Sequence, residues 1–413
     1  MRKSLLILAC AATLLAQQPF DLLLKGGHVI DPKNQISGIM DVYIRDGRVA
    51  ALGALIPSVP PKITVDATGL YIVPGLIDIH VHVYPRPGLD GLERDSSVQA
   101  DAFSFRSGVT TVVDAGTTGV KTFPAFRKQV IDRAQTRVLA LLNIVAAGMG
   151  TGLEDDPTQL DAEAAAQMAK ANPGVIVGFK SAHYGGPGWE SVEKAVMAGK
   201  KANLPVMVDF GYLNKVRNIN TLLLDKLRPG DIYTHCYSGH REELLADGKV
   251  NPAMVAARKR GVIFDVGHGA GSFYWYVAVA AAQQGFLPDS ISTDLHSGSM
   301  NAGMKDMANT MSKILNLGAS VDQVIRMSTW NPAQEIQRTD LGHLSVGAEA
   351  DVAILRVEKG SFGFLDSAGA SNTGTQNIVC ELTLRKGKTV WDRNGRAATS
   401  WKSFPYEKKA WTK

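Results

Sequence analysis

His80 and His82 stand two residues apart in the apolar run Leu76-Ile-Asp-Ile-His-Val-His82. On a strand, that spacing turns both imidazoles to one face. Two neutral imidazoles converging at the end of a buried strand are the start of a metal site. Such a pair is moderate evidence alone, so the other apolar runs decide the matter. Lys180 ends Val175-Ile-Val-Gly-Phe-Lys180, Asp209 ends Val206-Met-Val-Asp209, and His235 ends Ile232-Tyr-Thr-His235. His268 follows Val262-Ile-Phe-Asp-Val266, while Asp294 ends Ser290-Ile-Ser-Thr-Asp294 with His296 two residues on. Imidazoles and carboxylates of this kind suit Zn²⁺, and two divalent ions about 3.5–4 Å apart can share a hydroxide that attacks at neutral pH. A protonated lysine cannot ligate. Lys180 fits the set if its amine reacts with CO₂ to form a carbamate, an anionic two-oxygen bridge between metals. Its other reading is a strand-end cation paired with Asp209 or Asp294.

The elements that position these residues follow from the pattern. From Pro74 onward, strand-like runs alternate with helical ones. The strand runs span 76–82, 110–114, 138–144, 175–180, 206–209, 232–235, 262–266 and 290–294. Helices are expected at 161–170, from an Asp161 N-cap, and at 191–202, 300–315 and 320–336, the last from a Ser320…Gln323 capping box. Eight strands alternating with helices predict an α/β fold, a (β/α)8 TIM-type barrel whose active site collects at the strand C-termini. Residues 17–73 and 341–400 read instead as short strands and turns, including the Asp46-Gly47 hairpin signal. They are expected to pair into one small β-sandwich domain, with the barrel at 74–340 inserted and 401–413 a tail.

The chain of 413 residues is 45% hydrophobic and 20% charged, enough apolar material for a large core and a smaller one. Residues 1–16 have a basic start, Arg2 and Lys3, then an apolar run too short to span a bilayer. They read as a signal peptide and predict a periplasmic or secreted protein. A lipoprotein anchor at Cys10 is the minor alternative. No later run is long enough for a membrane span, and the scattered Lys and Arg leave no nucleic-acid footprint. Cys236 and Cys380 do not make a disulfide framework. The expected partner is a small-molecule substrate, with self-association left open.

Several of these motifs resemble one family. Val73-Pro-Gly-Leu-Ile-Asp-Ile-His-Val-His82 is similar to the first-strand signature of the metal-dependent amidohydrolase superfamily. Thr234-His-Cys236, Phe264-Asp-Val-Gly-His-Gly-Ala-Gly-Ser-Phe273 and Ser292-Thr-Asp-Leu-His296 resemble its dihydroorotase-like amidohydrolase/deacetylase branch. The resemblance implies hydrolysis of an amide, cyclic amide or acyl ester at two divalent ions, Zn²⁺ in the first instance. His80, His82 and Asp294 would hold the buried metal, Lys180 would bridge as a carbamate, and His235 would hold the exposed metal. Asp294 would also carry protons. The branch usually places a His where this chain has Asp209. Asp209 ligates in the first reading, which favours Mn²⁺ at that site. Alternatively His183 supplies the ligand, or the enzyme uses one metal. His268 and His296 are candidates for contact with substrate or for supporting the ligands. His28, His240 and His343 read as structural. The competing functions are a mononuclear metal deaminase and a non-catalytic barrel with a degraded second site.

Overall fold

The computed structural model describes residues 19–54, 59–85, 96–209 and 216–407. The expected signal peptide, with Cys10, lies outside the described residues, as does the tail from 408. Among the described residues, no helix is long and apolar enough to cross a membrane.

The first strands are β1 (Leu22–Asp31), β2 (Ile36–Arg45), β3 (Arg48–Leu52), β4 (Ile63–Asp66) and β5 (Tyr71–Pro74). The Asp46-Gly47 turn joins β2 to β3 with Arg45 opposite Arg48. A second set follows: β6 (Leu76–Val81), β7 (Val109–Ala115), β8 (Arg137–Asn143), β9 (Ile176–Ala182), β10 (Val206–Asp209), β11 (Ile232–Tyr233) and β12 (Ile263–Phe264). The chain then returns to the first sheet through β13 (Val352–Leu365), β14 (Ser371–Arg385) and β15 (Lys388–Asp392). The small β unit is one continuous eight-stranded sheet, joined across the two chain segments where β5 pairs antiparallel with β13. Its apolar core, including Leu24, Val42, Ile44, Ile72, Ile354 and Leu382, is separate from that of the barrel.

Strands β6 to β12 form a parallel sheet in sequence order. The eighth expected strand is present only as bridges, Asp265 with Ser290 and Val81 with Leu295. They close the sheet through His268 N–H to Ser292 O (3.3 Å) and His82 N–H to Leu295 O (2.9 Å). Expected helix 300–315 is split into Ser297–Met300 and Met307–Asn316, and 320–336 into Val321–Ser328 and Trp330–Glu335. The second break falls at Thr329, with φ −135° and ψ −80°, three residues before Pro332. A proline removes a backbone donor and restricts its neighbour, so an apolar pattern spanning it overstated one helix. The Ser320–Gln323 capping box forms as expected.

Strict alternation would put Ile77 and Ile79 on the face opposite His80 and His82. Ile77 and Ile79 join Leu139, Leu141, Val177, Met207 and Ile232 in a cluster plugged by Ala333 and Ile336. The pairing of β6 with β7 jumps from Asp78/Val112 to Val81/Asp114, so β6 carries one extra residue there. That bulge shifts the phase and brings His80 and His82 inward. A second jump, from Ala140/Ile176 to Leu141/Gly178, does the same for Lys180 on β9.

Candidate active site

The two histidines of β6 are oriented by hydroxyls. Thr234 Oγ1 donates to Asp265 Oδ2 (2.7 Å) and lies 3.0 Å from His80 Nδ1. With its proton committed to the carboxylate, Thr234 accepts from His80 Nδ1–H, and the Nε2 lone pair faces the site. His82 Nδ1 lies 2.8 Å from Thr117 Oγ1, and Thr117 is bound in turn by buried Asp114. Burial, then the Lys180 charge, holds the His80 ring well below its usual pKa, so it stays neutral and able to ligate.

Asp294 faces these rings, with Oδ1 3.1 Å from His82 Nε2 and 3.7 Å from His80 Nε2. Burial pushes its carboxyl up, but His80, His82 and His296 outweigh burial and keep it ionised. Lys180 is buried, with Nζ 3.0 Å from His80 Nε2. Burial lowers its amine, against the opposing charges of Asp209, Asp294 and Asp265.

Across the site, His235 donates from Nδ1 to Gly267 O (2.5 Å), which leaves Nε2 as the free acceptor. That nitrogen lies 3.3 Å from Asp209 Oδ2, and the same oxygen is 3.6 Å from His183 Nε2. The other Asp209 oxygen is held by Arg241, a buried guanidinium that also lies against the Tyr233 ring. Burial raises the Asp209 carboxyl, yet Arg241, His235 and His183 together hold it well below the carboxylate range. Nothing in the sequence around Arg241 marks it, because its partner is 32 residues away.

The donor set fits metal ions. Ligand atoms bonded at about 2.0–2.1 Å to a tetrahedral ion are about 3.3 Å apart, and the His82–Asp294 and His235–Asp209 separations lie close to that. The ligand atoms of His80, His235 and Asp294 also fall within 4.8 Å of one another. His183, His235 and Asp294 all take left-handed backbone conformations, with φ of 57°, 63° and 51°. For residues with a side chain this costs about 1 kcal/mol or more each, and such strain collects at functional sites.

His296 and His268 stand apart from that ring of donors. His296 Nδ1 accepts the backbone N–H groups of Gly298 (3.1 Å) and Ser299 (3.4 Å). Its Nε2 is turned toward Asp294 Oδ2 at 4.0 Å. His268 is fully buried and points away from the donors, with Nδ1 on Gly269 O (2.9 Å) and Nε2 on Lys313 Nζ (2.6 Å). Both its nitrogens are bound by protein, so neither is free to contact substrate. Its neighbour Gly267 has φ +47°, and a Cβ there would lie 2.7 Å from His235 Nδ1 and 3.1 Å from His80 Nδ1. Gly267→Ala is therefore expected to fold but to lose at least half of its bound metal, measured by elemental analysis after gel filtration.

The amidohydrolase family model matches residues 277–390. A deacetylase of Brucella anthropi is 34% identical over 79% of this chain and 81% of its own length. The deacetylase Atu3266 of Agrobacterium fabrum is 33% identical over 78% and 80%. Among solved structures, an adenine deaminase superposes with a TM-score of 0.81 at 29% identity, covering 91% of this chain and 100% of that one. A dihydroorotase gives 0.75 at 28% identity, covering 90% and 99%. This chain belongs to the amidohydrolase family, in its dihydroorotase-like branch, and is a metal-dependent hydrolase of carbon–nitrogen bonds.

Proposed function

We propose that the chain is a binuclear hydrolase that cleaves the amide or acyl ester of a small N-acyl or O-acyl compound, or opens a cyclic amide. Zinc is the expected ion, and the carboxylate oxygen of Asp209 suits Mn²⁺ on its side. The observation that carries this reading is Lys180. Its buried amine lies 3.0 Å from His80 and feels the charges of both Asp209 and Asp294. Desolvation favours the neutral amine. That amine can add to CO₂, forming an N–C bond as one C=O π bond opens and releasing one proton to solvent, and the product carries one negative charge shared over two oxygens.

When bound, the metal ions supply a hydroxide at neutral pH and polarise the scissile carbonyl. The remaining roles belong to the chain. His80 and His82 are held by Thr234 and Thr117 in the tautomer that leaves Nε2 free to ligate. His235 does the same through Gly267 O. Asp294 stays ionised and takes the proton of the attacking water, then returns it to the leaving nitrogen or oxygen. In this reading His296, with Nε2 4.0 Å from Asp294 Oδ2, contacts substrate or steadies that carboxylate.

The likeness to an adenine deaminase favours one second reading, a mononuclear deaminase. Elemental analysis with native mass spectrometry separates the two. Two metals per chain and an added mass of one CO₂ on Lys180 are expected. One metal, no adduct and ammonia release from an amino-heterocycle would overturn the hydrolase reading in favour of the deaminase. No metal and no turnover on an acyl and cyclic-amide panel would overturn both.

A further inference from the structure

Lys313 lies on the helix Met307–Asn316, fully buried, and among the described residues its amine binds two neutral acceptors, His268 Nε2 at 2.6 Å and Gly303 O at 2.7 Å. Burying a lysine this way is costly, and burial lowers the amine to about 7. Lysine donates a hydrogen bond in either protonation state, so the contact does not depend on its charge.

The contact leads into the site. His268 donates from Nδ1 to Gly269 O, so its Nε2 must accept from Lys313. The ring is stacked on Phe273, centroids 4.6 Å apart at 9°, which fixes its plane. His268 sits in the chain between Gly267, whose carbonyl orients His235, and Gly269, where a Cβ would lie 2.5 Å from Asp294 Oδ2. The far end of the chain of contacts is equally fixed. Ser312 and Asn316 of the same helix bind β14, through Ile378 N–H to Ser312 Oγ (2.8 Å) and Thr375 N–H to Asn316 Oδ1 (2.8 Å). At the tip of the β13–β14 hairpin, Ser367 N–H donates to Phe273 O (2.9 Å), and Phe273 N–H donates to Ser367 Oγ (3.1 Å).

We propose that Lys313 is a positioning residue for the metal side of the site that holds His235. It acts through His268 to set the Gly267 carbonyl, and thus the direction of His235 Nε2. The proposal rests on the binuclear reading above and deepens it: the C-terminal hairpin and its docked helix tune the second metal.

The test is a zinc competition titration that resolves two dissociation constants per chain, with the His235-dependent one assigned by its loss in His235→Ala. In Lys313→Met the His235-dependent constant is expected to rise at least about tenfold, as for loss of other groups that orient metal ligands. The other constant should stay within about twofold, and kcat should fall more than KM changes. His268→Gln alone leaves Lys313 in place with an acceptor for its amine, and should keep the His235-dependent constant near its wild-type value. If Lys313→Met fails to fold, the double variant His268→Leu/Lys313→Met removes both buried polar groups together and should show the same selective loss. Equal weakening of both sites, or no change in either, would overturn the proposal. A wild-type titration with a single site would refute the binuclear reading itself, and the proposal with it.

Discussion

Asp294→Asn is expected to lower kcat about 10²- to 10⁴-fold, the range a positioned acid–base group contributes. The substitution keeps size and hydrogen-bonding shape but removes the ability to take up and return a proton. Among the described residues the carboxylate is the one anionic group facing both His80 and His82, and the surrounding rings keep it ionised against the pull of burial. Its backbone is pinned at φ +51° by Ser299 Oγ, which donates to Asp294 O (2.8 Å), so the side chain has little freedom to swing away. Asn is also among the residues that best tolerate that conformation, which makes a folding failure a poor explanation of any loss. Initial rates on an acyl substrate, paired with elemental analysis of the same preparation, give the answer. Turnover within tenfold of wild type, with metal retained, would remove Asp294 from the proton-carrying role.

Much of this site can be read from the chain because ligands in a parallel barrel must come from strand ends, and strand ends are marked by apolar runs. His80, His82, Lys180, Asp209, His235 and Asp294 all close such runs, and the fold brings all six to one mouth. The inward turn of His80 and Lys180 is not legible, because each depends on a bulge that strict alternation does not reveal. Arg241 and Lys313 are also invisible in the sequence. A cation in a loop or on a helix usually faces water, and only tertiary packing shows that these two are buried against Asp209 and His268. The eighth strand is legible in its composition, yet the fold keeps it only as two bridges, Asp265 with Ser290 and Val81 with Leu295.

Arg241→Met is expected to destabilise the metal-free protein by about 3–5 kcal/mol near neutral pH, the cost of breaking a buried ion pair from one side. Asp209 would keep a buried carboxylate whose strongest counter-charge is gone. The pH dependence follows from the direction of the Asp209 shift. Its folded pKa is depressed, so the stabilisation from Arg241 is fully present above the unfolded value of about 3.9 and is lost as pH falls through the folded one. The gap between wild type and Arg241→Met should therefore be wide at pH 7 and narrow on acidification, once the exposed carboxyl of the unfolded chain and then the buried one take up protons. Urea unfolding of chelator-treated protein at both ends of that range measures it. The paired variant Asp209→Asn/Arg241→Met removes both charges and should recover most of the lost stability, because neither partner is left stranded. On the binuclear proposal, it should not recover metal binding on the Asp209 side. At the end of β10 this chain has a carboxylate whose charge is offset by a guanidinium on its other oxygen. The site thereby keeps an oxygen donor toward His235 without the full extra negative charge that a lone aspartate would bring. A gap that stays constant from pH 7 into the acid range would show that Arg241 contributes through packing against Tyr233 instead of through Asp209.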